Sequence, residues 1–221
     1  MPAKTAAAAD TDTAKLKRRG AVKAFKREAI LQAARTIFAR DGLDGATLRA
    51  IAAEAGVAVG TVYLHYPGKE ALYADMLAGS LADLLRHLRE AVAKASAEGH
   101  LLAAALAFYG FYRARPDDLY LGLYLAQGLK PVSLNPELDR LLNGRLIQCY
   151  GVLGEGIRRL APLAPEALKA ETVSLAAAIT GALMLEGTGR LKVLGDGGEA
   201  VVRRAVQTLV DGLTKELRRQ P

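Results

Sequence analysis

Residues 47–66 read TLRAIAAEAGVAVGTVYLHY, two short helical patterns on either side of a glycine. Leu48, Ile51 and Ala55 recur at spacings of three and four, which places them on one face of a first helix. Gly56 follows where a tight turn between helices needs a positive φ, a conformation glycine adopts without steric cost. Val57 and Val62 can pack back onto that face from a second helix, and Ala52 is small enough to let it cross nearby. Thr47, just ahead of the pattern, is a good N-cap. This spacing predicts a helix-turn-helix whose second helix can be presented to a major groove. A plain helical hairpin in a core fits the same periodicity, so the flanks must separate the two readings.

Upstream, a helix is predicted from about residue 23 to 40, with Ile30, Leu31, Ala34 and Phe38 at helical spacing and a stop at Asp41-Gly42. Downstream, Pro67-Gly68 ends the recognition helix, and Lys69 opens a long fourth helix reaching about Ser96. From Arg27 to Leu77 the chain resembles the DNA-binding domain of the TetR family of bacterial one-component transcriptional regulators. The family's run is T-x-x-x-I-A-x-x-A-G-V-x-x-G-T-x-Y-x-[HY]-[FY]-x-x-K-x-x-L, preceded by a helix ending in phenylalanine and a glycine-containing turn. Here it stands as Phe38 and Gly42, then Thr47, Ile51-Ala52, Ala55-Gly56-Val57, Gly60-Thr61, Tyr63, His65-Tyr66, Lys69 and Leu72. Ala58 and Gly68 replace usual serines, removing two hydroxyls that could cap helices, at about 0.5–2 kcal/mol each.

The resemblance implies roles for particular residues. Thr47, Tyr63, His65 and Lys69 match positions that contact the DNA backbone in the family. Thr47 and Lys69 also open helices, where free N–H groups and the helix dipole favour phosphate. Packing of Tyr63 against the first helix, and plain solvent exposure of His65, are the alternatives. Base reading then falls to Ala58, Val59, Gly60 and Thr61 at the start of the recognition helix, with Arg49 from the helix before it. None of the four recognition-helix residues can fork onto guanine or adenine. Val59 and Thr61 can touch thymine methyls, and Gly60 permits close backbone approach, so specificity is expected to rest on methyl contacts, Arg49 and DNA shape.

Charge is distributed to match. Residues 15–70 hold 11 Lys and Arg against 5 Asp and Glu, whereas residues 71–221 hold 18 against 16. A basic head on a near-neutral body is the footprint of a polyanion-binding unit, although a merely solvated basic face would look similar. The predicted organisation is a flexible basic tail at 1–20, a helix-turn-helix domain at 21–70 and a ligand-binding and dimerisation domain at 71–221. Beyond residue 96 everything reads as helix, at roughly 99–115, 116–129, 135–160, 165–193 and 198–218, with no strand or internal repeat. The fold class is all-α: a three-helix head and a helical bundle. One cysteine, Cys149, leaves no internal disulfide, and in the context RLIQCY it reads as a buried inert thiol rather than a redox sensor. No secretory leader is read, and the apolar run 173–185 is shorter than the roughly 20 residues a bilayer span needs, so a cytoplasmic protein is expected.

In the body, seven aromatics crowd between Phe108 and Tyr150. Core packing alone accounts for such a stripe; the functional reading is a cavity walled by Tyr112, Tyr120, Leu123, Tyr124, Gln127, Gln148, Cys149 and Met184. Family members bind an effector in this body, which shifts the fourth helix and the heads with it. They also pair their last two helices with those of a mate. The matching surface would use Ala177 and Gly181, which allow close approach, and Val202, Val206, Leu209 and Leu213, which lie at helical spacing; packing inside one chain is the alternative.

The expected protein is therefore a homodimeric regulator, more often a repressor, bound to a palindromic or pseudo-palindromic double-stranded operator and released by a small, mostly apolar ligand. No cofactor or metal is expected. An enzyme is disfavoured, because there are only three histidines and no P-loop, HExxH, GxSxG or CxxC pattern. His87 and His100 are expected on solvated helix faces. An architectural DNA-binding protein and a ligand-independent regulator with a solid core remain the rivals.

Overall fold

A computed structural model of the chain describes residues 3–124 and 134–219. The described residues form ten helices and no strand: α1 (Ala3–Gly45), α2 (Leu48–Glu54), α3 (Val59–Tyr63), α4 (Lys69–Ala93), α5 (His100–Ala114), α6 (Pro116–Tyr124), α7 (Pro136–Leu160), α8 (Pro165–Gly187), α9 (Arg190–Val193) and α10 (Gly198–Arg219). The chain divides into two compact units, residues 1–76 and 77–221. The division falls inside α4, later than the 70/71 boundary read from sequence. Its cause is packing: the Tyr73 ring meets Phe38 edge-on at 5.4 Å, and Asp75 bonds to Tyr66, so the first turns of α4 belong with the head.

α1 includes residues 3–20, where a flexible tail is expected from sequence; the alanines at 6–9 are the strongest helix formers. Its regular geometry breaks at Gly42, with φ 68° and ψ 177°, at the stop the sequence marks. Ile30, Ala33, Ala34, Ile37 and Phe38 form its buried face, and the buried Leu48, Ile51 and Val62 come from α2 and α3. The head is thus three helices packed on one apolar seam and continued by the start of α4.

In the body, α5 supplies most of the core. Leu101, Ala104, Ala105, Phe108, Tyr109, Phe111 and Tyr112 are all buried, against α7, α8 and α10. A Cβ on Gly156 of α7 would lie 2.9 Å from the Leu101 Cα, so only glycine allows α7 to cross α5 this closely. The helix expected over 165–193 is broken at Thr188-Gly189 into α8 and α9. An 18-residue window of α8 reaches a mean hydropathy of 1.4, so by length and composition this one helix could cross a membrane, against the shorter run counted from sequence. Only 28% of that window is buried, while Leu175, Ala176, Ile179, Ala182 and Leu183 pack into the core. His100 is buried rather than solvated, with no partner for its Nε2 among the described residues and the ring held below the ordinary histidine pKa by burial, then by Arg159.

Candidate nucleic-acid interface and ligand cavity

The turn between α2 and α3 is a Schellman arrangement. The Val57 N–H donates to the Ala52 carbonyl at 3.0 Å and the Gly56 N–H to the Ala53 carbonyl at 3.1 Å, with Gly56 at φ 65°. These two bonds satisfy the end of α2 and redirect the chain into α3. The Thr47 hydroxyl oxygen caps α2 by accepting from the Ala50 N–H at 3.1 Å, which leaves its own proton free to donate outward. Ala58, at the N-cap of α3, makes no side-chain cap, in keeping with the missing serine.

Behind α3, packing is complete: Val62 is fully buried and Tyr66 nearly so. The Tyr66 hydroxyl donates to Asp75 at 2.6 Å, and Arg27 of α1 pairs with the same carboxylate. Burial first, and then the Asp75 charge, hold the Tyr66 phenol above its usual pKa. This Arg27–Asp75–Tyr66 link ties α1, the exit of α3 and α4 together. The sequence reading assigned it no role, because its partners lie 48 and 9 positions apart.

In front, α3 is open. Ala58, Val59 and Gly60 are exposed, Thr61 is half-buried, and Arg49 of α2 is exposed. Tyr63 is 58% exposed, which excludes its packing against α1, and His65 is half-buried with its ring 6.3 Å from that of Tyr66. The Lys69 ammonium donates to the Asp44 carbonyl at 3.1 Å, three residues before Thr47. That bond draws the start of α4 to the start of α2, bringing two of the four expected backbone-contacting residues together. Leu64, the C-cap of α3, is 82% exposed and presents an apolar side chain on the same side, a position absent from the sequence expectation. Once Val62 and Tyr66 were assigned inward, helical spacing would have turned Leu64 outward.

The body contains a mostly apolar cavity of about 310 Å³ that is partly open to solvent. Its walls include Leu77 and Leu81 of α4, Phe108 and Tyr112 of α5, Leu119 and Leu123 of α6, and Tyr150 of α7, with Thr180 and Asn143 as polar points. Phe108 stands 5.3 Å from Tyr112 and stacks on Tyr150 at 6.0 Å, so the aromatic stripe is both core and cavity wall. Of the pocket residues expected from sequence, Tyr112 and Leu123 line it. Tyr120, Met184, Gln148 and Cys149 lie elsewhere, against expectation. Tyr120 is half exposed and Met184 lies on the outer side of α8. Gln148 faces a different groove, between α4 and α7. Cys149 is fully buried, its S–H directed to the Leu81 carbonyl at 3.4 Å, and burial lifts its thiol to about 11, which fits an inert thiol. The Tyr124 side chain and Gln127 lie outside the described residues.

The expected pairing surface also divides. Val202 and Val206 are buried in the chain's own core, so they do not face a mate as expected, whereas Leu213, although mostly buried, lines the groove between α8 and α10 beside Leu209. α10 turns this apolar face inward, and its spacing alone did not say which neighbour it meets. Ala177 is exposed, and Gly181 and Leu209 are half-buried. A groove of about 300 Å³ between α8 and α10, lined by Ser174, Ala178, Ala205, Thr208, Leu209 and Gly212, lies on that side.

Short exposed side chains on a helix that is packed from behind, entered through a glycine turn, define the helix-turn-helix class of DNA-binding proteins. Residues 30–76 match the profile of "Bacterial regulatory proteins, tetR family". Residues 30–76 thus carry the DNA-binding domain of the TetR family of bacterial transcriptional regulators. It is 41% identical over 71 residues to the HTH-type transcriptional repressor KstR2 of Rhodococcus jostii (strain RHA1), a match covering 32% of this chain and 35% of that protein. It is 25% identical over 129 residues to the fatty acid metabolism regulator protein of Bacillus subtilis (strain 168), covering 58% and 66%. The chain therefore spans between about a third and two thirds of the length of these relatives. The fold extends further. The transcriptional regulator FadR from Bacillus subtilis, solved in complex with stearoyl-CoA, superposes with a TM-score of 0.66 at 19% identity, over 84% of this chain and 98% of that one. The regulatory protein SCO4313 superposes with a TM-score of 0.69 at 18% identity, over 86% and 97%.

Proposed function

We propose that this protein is a cytoplasmic, homodimeric, operator-binding transcriptional repressor, released from DNA when a ligand with a long apolar part fills the body cavity. The observation that carries the reading is the pairing of an outward-facing α3 with a mostly apolar, partly open cavity, because α4 contributes to both. Lys69 opens this helix beside Thr47, and Leu77 and Leu81 of the same helix line the cavity. A ligand that pushes on Leu77 and Leu81 biases the start of α4, and with it the backbone-gripping groups. Such coupling is worth typically about 1–3 kcal/mol.

Base reading by Val59, Thr61 and Arg49, with phosphate contacts from Thr47, Tyr63, His65 and Lys69, is supported by the exposure of Thr47, Arg49, Val59 and Tyr63 and by the family pattern. Pairing through the outer side of α8 and α10 follows from the small exposed residues there and from the low burial of α8. The acyl character of the ligand is suggested by the Bacillus subtilis fatty acid metabolism regulator, whose FadR structure holds stearoyl-CoA. A solid-core, ligand-independent regulator is the weaker reading, because the cavity exists.

Selection of duplexes from a random pool by the purified protein tests the reading: a two-fold symmetric motif, released by long-chain acyl ligands, is expected. Enrichment of no sequence over bulk DNA would leave an architectural binder instead. Sedimentation of Ala177→Arg should show monomer; an intact dimer would place the interface elsewhere.

A further inference from the structure

A second, larger groove lies beside the cavity, between α4 and α7, with a volume of about 870 Å³. Four arginines line it, Arg86 and Arg89 from α4 and Arg140 and Arg145 from α7, against a single acid, Glu90. That concentration is out of keeping with a body whose charges otherwise nearly cancel, 18 basic against 16 acidic residues over 71–221. Two of the guanidinium groups are oriented by backbone. Arg145 donates to the Ala78 carbonyl at 2.9 Å and Arg140 to the Pro136 carbonyl at 3.0 Å. Arg86 is shared between Asp83 at 2.7 Å and Glu90 at 3.8 Å. Arg89 has no ion pair among the described residues. Leu81 stands in the wall of both the groove and the apolar cavity, so the basic and the apolar space adjoin.

We propose that this groove holds the phosphate-bearing head of the effector, a fatty-acyl thioester of coenzyme A whose acyl chain occupies the adjoining apolar cavity. The assignment rests on the ligand reading given above and specifies its chemistry. Guanidinium groups grip phosphate oxygens through paired N–H donors, and four of them along one groove suit a ligand with several phosphates rather than one. A free fatty acid would fill the apolar space and leave the arginines unused. The volume of the groove exceeds what a lone phosphate occupies, which favours a nucleotide head.

Titration calorimetry on the full chain tests this, using lauroyl-CoA, lauric acid and lauroyl phosphate as probes. The double variant Arg89→Gln/Arg140→Gln spares Arg145, which holds the Ala78 carbonyl, and lies outside the head. It should weaken lauroyl-CoA by about ten- to a hundredfold, the loss of charged hydrogen bonds, while lauric acid binds as before. Circular dichroism and DNA affinity without ligand should be unchanged. An unchanged lauroyl-CoA affinity in the variant, or an equal loss for lauric acid, would overturn the head-group site alone. Lauroyl phosphate binding as tightly as lauroyl-CoA, with the same arginine dependence, would assign the groove to a simple phosphate and overturn the nucleotide. Wild-type protein that binds none of the three would overturn the ligand reading itself.

Discussion

Val59 and Tyr63 in the head are 39% and 58% exposed, whereas Phe108 and Tyr112, the rings that line the body's cavity, are 3% and 6% exposed. The head works on a surface that water already covers, and its partner is a rigid polyanion that has to be met from outside. On the ligand reading proposed above, the body's partner would instead sit among core side chains. The difference sets what a substitution does in each. In the head, surface changes alter recognition with little effect on stability, while changes beneath α3 affect both. In the body, the residues that would meet a ligand also hold the fold, so function and stability are harder to separate.

The largest effect is expected beneath the recognition helix. Ile51→Ala empties a fully buried position and should destabilise by about 2–5 kcal/mol, with gel-shift activity lost at temperatures where the wild type still binds. Full DNA binding at an unchanged melting temperature would mean that α3 does not depend on this seam. Next come Val59→Ala and Thr61→Ala, each expected to relax preference at one or two thymine positions by about 1–3 kcal/mol per lost contact. Binding profiles over a substituted operator set check this, and unaltered profiles from both would remove α3 from base reading. Gly56→Ala forces a side chain into φ 65° and should cost about 1–2 kcal/mol, read as a lowered denaturation midpoint. A midpoint equal to the wild type would show that the turn relaxes freely.

Lys69→Ala should weaken binding to every sequence alike and reduce the salt slope by about one unit. A sequence-selective loss would make it a base contact. The smallest effect belongs to the body. His100 sits below its ordinary pKa of 6.5 because burial penalises the charged ring, followed by Arg159, while Glu155 and a bond to the Val152 backbone oppose this. A histidine whose folded pKa is depressed contributes full stability above the ordinary value and loses it as pH falls below. Thermal melts across that range should therefore decline less steeply in His100→Gln than in the wild type; parallel declines would show that other groups carry the pH dependence.

Legibility in the sequence followed the same division. The helix-turn-helix was readable because its constraints are local. Gly56, Thr47 and Val62 do within a few residues what their spacing announces. The Arg27–Asp75–Tyr66 link was not assigned, since pairing across 48 positions leaves no periodic trace. In the body, residue type indicated burial but not direction. Cys149 and Met184 share an apolar character with Leu81 and Leu142, yet only the latter two face the cavity, because rotation about each helix decides it. The same ambiguity placed Val202 and Val206 on a mate rather than in their own core. The basic groove drew on four arginines spread from 86 to 145, which only the meeting of α4 and α7 brings together.

The most direct measurement is the affinity of the intact protein for its selected duplex across a salt series, with bulk competitor DNA present. A linear fall of log affinity with log salt, and retention of the selected duplex over competitor, is the expected result. Absence of salt-sensitive binding to any duplex would contradict the assignment of α3 to a DNA groove.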